Sequence, residues 1–137
     1  MAENLTDEKF YSRLKVYLNT VIIRDIQGGM AMRKMEDFSE VNLSPKIICE
    51  IQEIGKKHGI SRIVLFGSRA RKTNWEKSDI DLMISTPDSA VQLDFIDSLE
   101  EIDTLLMFDV VNRKSFNYSS VLNAEIMRDG VIIYEEI

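Results

Sequence analysis

Residues 67–82 of this chain read GSRARKTNWEKSDIDL: a Gly-Ser pair, ten intervening residues, then Asp-x-Asp. Ahead of it, the apolar run Ile63-Val64-Leu65-Phe66 stops abruptly at Gly67, as a buried strand does at a turn. After it, Ile80, Leu82 and Ile84 alternate with Asp79, Asp81 and Ser85, the period-two pattern of a second strand. A polar connection containing Trp75 joins the two. Side chains two apart on a strand share a face, so Asp79 and Asp81 project together while Ile80 and Leu82 enter the core. Two carboxylates so placed repel, and a cation between them relieves the repulsion. Magnesium suits the pair, being a hard ion commonly held by one or two carboxylates together with substrate phosphates.

A third carboxylate, Asp109, interrupts the apolar run 105–111, LLMFDVV, which reads as another strand with the acid near its end. Burying it alone is costly, so it belongs at an exposed strand end or beside a cation or donors. If this strand neighbours the one carrying Asp79 and Asp81, the three acids converge across an interstrand spacing of about 5 Å. Gly67-Ser68 offers the complementary half of a phosphate site. Glycine permits a tight turn and close ligand approach, and the following N–H groups and the Ser68 hydroxyl can donate to phosphate oxygens. Arg69, Arg71, Lys72 and Lys77 surround the segment with positive charge, of which Arg69, Arg71 and Lys77 are taken as nucleotide-binding candidates.

The constellation of Gly67, Ser68, Asp79, Asp81 and Asp109 resembles the nucleotidyltransferase superfamily that includes DNA polymerase beta, and within it the minimal nucleotidyltransferase branch. The resemblance extends from the helix-like stretch near Leu43 to the terminal EIMRDGVIIYE at 125–135. Many members carry glycine where this chain has Lys72. As the resemblance implies, Asp79 and Asp81 bind two Mg2+ ions, and Asp109 joins the metal nearest the acceptor and accepts the acceptor's hydroxyl proton. The implied reaction is transfer of a nucleoside monophosphate, AMP from ATP, to an acceptor hydroxyl. Minimal-branch members are similar to antitoxins paired with all-helical HEPN proteins, some of which they modify on a tyrosine with AMP. Two other functions remain open: a noncatalytic antitoxin or assembly subunit that only binds a partner, and a transferase acting on a small molecule such as an aminoglycoside.

The 137 residues, 45% of them hydrophobic, suffice for one sizeable core and fall short of two full domains. A net charge of -6 argues against an extensive nucleic-acid surface, since no basic stripe is present to neutralise backbone phosphates. The lone Cys49, flanked by isoleucines, is expected to face the core or a helix boundary and fits a reducing compartment. No apolar segment is long enough to span a bilayer and the beginning lacks a secretory pattern, so cytoplasmic residence is expected.

Residues 7–26 carry Leu14, Tyr17, Leu18, Val21 and Ile22 at helical spacing, ending at Gly28-Gly29. Met30, Met32, Met35 and Phe38 suggest a shorter second helix. Residues 1–42 are therefore read as an N-terminal helical extension and 43–137 as the minimal nucleotidyltransferase domain. The amphipathic 7–26 segment would pack internally, against a second copy, or against a distinct partner. From Leu43 onward, Asn42 or Ser44 caps a helix with apolar Ile47, Ile48, Ile51 and Ile54, ending near His58-Gly59, which leaves His58 at an exposed helix terminus. Val91 to Leu99 forms another helix, with Asp94, Asp97, Glu100, Glu101 and Asp103 on a solvated face. A short helix from Ser119 or Ser120, a turn at Asp129-Gly130 and a terminal strand 131–134 complete the chain. The alternation predicts an α/β or α+β fold, a small mixed sheet flanked by helices, and the resemblance selects the polymerase-beta-like topology. Trp75, Phe108 and Tyr118 are candidates to approach a base.

Overall fold

The computed structural model describes residues 32–115 and 120–136. The proposed helix at 7–26 and Tyr118 lie outside these residues. Five strands form one mixed sheet: β1 (Arg33–Lys34), β2 (Arg62–Phe66), β3 (Ile80–Ser85), β4 (Phe108–Asn112) and β5 (Val131–Glu135), in the order β1-β5-β2-β3-β4. The helices are α1 (Pro45–Lys57), α2 (Ser68–Arg71), α3 (Ser89–Leu99) and α4 (Val121–Asp129). β2 runs antiparallel to both β3 and β5, whereas β3 and β4 are parallel and joined through α3, as a parallel pair requires a crossover.

Period-two patterning sorts the side chains onto two faces. Ile63, Leu65, Ile80, Leu82 and Ile84 meet Ile48 and Ile51 of α1 and Phe95 and Leu99 of α3 in the larger core. Val64, Phe66, Met83 and Ile132 pack with Ile126 of α4 and Met32 on the other face. Pro45 begins α1, where its missing N–H is no loss. The Asp88 carboxylate caps α3 by accepting the Ala90 N–H, a contact of about 1 kcal/mol. Ser120 caps α4 by accepting the Asn123 N–H.

Several local expectations are corrected. The short helix through Met30, Met32, Met35 and Phe38 is replaced in the described part by strand β1, parallel to β5, and a 3-10 turn at Phe38–Glu40. Pairing with β5 and burial of Met32 outweigh the helical spacing of the methionines. The strand at 105–111 starts later, at Phe108, because Leu105 and Met107 are exposed, so Asp109 lies near its beginning rather than its end. Cys49 points outward. His58 ends α1, half-buried, with Nε2 2.9 Å from the Ser98 hydroxyl. The acids of α3 and its continuation are all exposed, as their number suggested.

Candidate active site

Sheet register assembles the acids. Phe66 of β2 stands opposite Asp81 of β3, and Asp81 stands beside Asp109 of β4. These three side chains therefore form one row across the sheet, on the face covered by α4. Asp79 immediately precedes β3 and shares that face by period-two alternation. Gly67 closes the other side. Its φ of 76° and ψ of -158° lie in a region essentially restricted to glycine. A Cβ built there would overlap the Asp81 carboxylate, so glycine is needed for its backbone angles and for the space it leaves.

The site is electrostatically loaded. Burial, followed by the charges of Asp109, Asp79 and Glu125, pushes the Asp81 carboxyl up to about 6, with only Arg71 acting in the opposite direction. Glu125 was not singled out in the sequence. It comes from α4, and Arg71 Nη1 lies 3.8 Å from its Oε2. The available signal was the four-residue spacing of Glu125 and Asp129 on one helix face, but only the packing of α4 brings that face to the site.

Cations nominated for phosphate have different positions and occupations. Arg69 is buried: Nε donates to the Ser78 carbonyl at 3.1 Å, Nη1 to the Asn42 carbonyl at 3.0 Å and Nη2 to the Glu76 carbonyl at 3.0 Å. Three of the five N–H groups of its fork thus pin Asn42 and the connection that leads into Asp79. Arg71 lies near Asp81 and donates to Asp129 at 2.9 Å. Asp129 also accepts from Arg128 at 3.0 and 2.9 Å, and these partners hold its carboxyl below the usual range. Lys77 is exposed on the connection. Lys72 adopts φ 65°, which explains why glycine is at home at this position, and its Nζ donates to the Ser39 carbonyl at 2.7 Å. Ser68, half-buried, begins α2 directly after Gly67. Trp75 is exposed on the connection, whereas Phe108 packs against the larger core.

The donor chemistry suits a hard divalent cation: oxygen ligands only, gathered on one face with negative charge in excess, and a glycine opening directly against Asp81. Among the described residues no three Asp, Glu, His or Cys side chains stand close enough to enclose an ion. Mutually repelling carboxylates have no reason to draw together until a cation joins them. The groove lined by Cys49, Glu53, Lys57, Ser98 and Glu101 lies between α1 and α3, on the opposite face, and takes no part in this arrangement.

Residues 49–136 match the family model described as polymerase beta, nucleotidyltransferase. Over 85 residues the chain is 35% identical to a Methanocaldococcus jannaschii protein named "putative protein adenylyltransferase", an overlap spanning 53% of this chain and 84% of that protein. Its fold is similar to a crystal structure of a toxin-antitoxin with AMP-PNP, with TM-score 0.53 and 21% identity over 65% of this chain and 73% of the other. A mutant of the toxin-antitoxin MntA-HpeT is similar at TM-score 0.52 and 19% identity, with the same coverages of 65% and 73%. At these identities the two structures bear on the fold alone.

Proposed function

Because this chain belongs to the polymerase beta nucleotidyltransferase family, we propose that it transfers AMP from ATP to a hydroxyl on a protein, with a HEPN-type toxin as the partner and a tyrosine as the acceptor. The observation that carries the reading is the row of Asp81 and Asp109 on adjacent parallel strands, with Asp79 on the same face and Gly67 open against it. The 35% identity to a protein named as an adenylyltransferase supports AMP as the transferred group. The fold is shared with a toxin-antitoxin structure containing AMP-PNP, and a toxin partner for this chain is proposed by analogy with it.

Asp79, Asp81 and Asp109 would hold Mg2+. When bound, that ion lowers the pKa of the acceptor hydroxyl and offsets charge on the phosphates. The chain's own groups do the remainder. Gly67 lets the triphosphate approach the backbone, and the Ser68 hydroxyl donates to a phosphate oxygen. Asp109, the most exposed member of the row, accepts the hydroxyl proton. The acceptor oxygen forms a bond to the α-phosphorus as the bond to the bridging oxygen breaks, and pyrophosphate leaves towards Lys77. Arg71 reaches the phosphates by turning away from Asp129. No protein nucleophile is needed, because alignment and charge stabilisation carry the reaction.

A cytoplasmic setting is part of the proposal, supported by a single, exposed cysteine. No helix among the described residues is long and apolar enough to cross a membrane.

The test is incubation with ATP and Mg2+, with and without a HEPN-type partner, followed by intact-mass measurement of both proteins. One AMP unit should appear on the partner, and Asp79→Asn or Asp81→Asn should abolish it with the fold retained. A partner that is bound but never modified would leave a binding antitoxin as the function. Turnover by both variants equal to that of the parent would remove the carboxylates from the mechanism.

A further inference from the structure

The sheet ends at β4, and among the described residues no strand pairs with its outer edge. The Ile80 N–H donates to the Met107 carbonyl. In a parallel ladder this alternation turns the backbone groups of Met107, Asp109 and Val111 towards β3 and those of Phe108 and Val110 outward. Edge strands that must stay unpaired are commonly guarded by lysine, proline or a bulge. Phe108–Asn112 contains no lysine or proline and pairs with β3 without a register shift. A strand added outside β4 would continue the row of Phe66, Asp81 and Asp109, placing its own side chain about 5 Å from Asp109 on the same face. Leu105, fully exposed, and Met107, 65% exposed, supply apolar surface where this edge begins. Exposed Glu101 and Asp103 precede it and exposed Lys114 follows it, so the edge is acidic at one end and basic at the other.

We propose that the outer edge of β4 is the docking site for the acceptor: an extended polypeptide segment that adds to the sheet as a strand and presents its hydroxyl side chain beside Asp109. The segment is basic at the end near Asp103 and acidic at the end near Lys114. This deepens the nucleotidyl-transfer reading and rests on it. Backbone pairing supplies affinity, and the row through Asp81 and Asp109 supplies register. The hydroxyl oxygen then bonds to the α-phosphorus of ATP, pyrophosphate departs, and the proton passes to Asp109.

The probe is a peptide with one tyrosine between two valines, two lysines at one end and two glutamates at the other, and a second peptide carrying serine for tyrosine. Each is titrated into the full 15N-labelled chain with Mg2+ and α,β-methylene ATP, which cannot transfer AMP. The amide resonances of Phe108 and Val110 should shift, and those of Arg33 and Lys34 at the opposite edge should not. Val110→Pro removes an outward N–H and leaves the β3 ladder intact. It should weaken peptide binding about tenfold, a loss of about 1.4 kcal/mol, with nucleotide affinity unchanged. Met107→Ser leaves the backbone untouched and should also weaken the peptide, which keeps the test decisive if the proline variant fails to fold. Shifts confined to the groove between α1 and α3, shifts nowhere, or a folded Val110→Pro that binds as tightly as the parent would overturn the docking site. So would slow amide exchange at Phe108 and Val110 before any peptide is added, which would mean that the chain's own residues cover the edge. A peptide that docks at β4 yet gains no AMP from ATP would sink the transfer reading and leave the docking site standing. AMP gained without shifts at β4 would do the reverse.

Discussion

Asp81→Asn should stabilise the metal-free protein near neutral pH and have little effect in acid. Burial is the main cause of the rise in the Asp81 pKa from 3.8 to about 6, and the charges of Asp109, Asp79 and Glu125 add to it. Between those values the folded protein holds a proton that the unfolded chain has released. The favourable contribution of this protonation is therefore fully present below about pH 3.8 and lost as the pH rises through about 6. Above that window the protein carries a strained carboxylate. Converted in full, the rise is worth about 3 kcal/mol. Asp81 is only half-buried and water screens its neighbours, so about 1 kcal/mol is the expected penalty. Asparagine keeps the volume and removes the charge. The variant should therefore gain about 1 kcal/mol near pH 8 in EDTA, a Tm increase of about 3 to 5 °C, and the gap should close near pH 4. Urea unfolding followed by circular dichroism across this range measures it, with m-values compared to verify that both proteins unfold alike. Mg2+ with ATP should reverse the order, because only the parent gains stability from tight metal-nucleotide binding. A variant less stable than the parent near pH 8, or a gap that is the same in acid and base, would refute the account of a repelling cluster.

Gly67→Ala should cost about 1 to 3 kcal/mol from backbone strain alone, and more because its Cβ displaces the Asp81 carboxylate. In a double-mutant cycle the cost of Gly67→Ala should be smaller in an Asp81→Ala background than in the parent; an equal cost in both would mean that Gly67 and Asp81 do not compete for space. Arg69→Met leaves the carbonyls of Asn42, Glu76 and Ser78 without their partner. It should cost about 3 kcal/mol or more and speed proteolysis in the 72–79 connection, and Arg69→Lys should rescue only part, since an ammonium cannot reproduce the planar fork. Lys72→Gly should be neutral or stabilising by up to about 1 kcal/mol in urea unfolding, because glycine accepts the left-handed backbone freely and the Lys72 contact it removes is exposed.

The features legible in the sequence were those encoded within a few residues of one another. A continuous apolar run ending at Gly67 located β2, and period-two alternation located β3 and put Asp79 and Asp81 on one face. Helical spacing, Pro45 and Ser120 located α1 and α4. The Gly67-Ser68 turn stood out because a glycine that ends an apolar run signals unusual backbone angles. The short helix α2 did not stand out, since four residues give no periodicity to read. The burial of Arg69 was hidden for a related reason: an arginine in a polar connection looks solvent-exposed, while the three carbonyls it meets belong to residues 42, 76 and 78 and come together only when the chain has folded. Strand β1 was hidden in the same way, since two residues become a strand only when β5 offers its edge. The sequence by itself therefore determined which residues are carboxylates on a strand face and where the chain turns, because sterics and side-chain alternation act locally. Tertiary structure alone decided that Asp81 lies beside Asp109, that Glu125 and Arg71 join them, and that Arg69 is buried among three carbonyls, because register and long-range hydrogen bonds are set by packing the two sheet faces against helices far away in the chain.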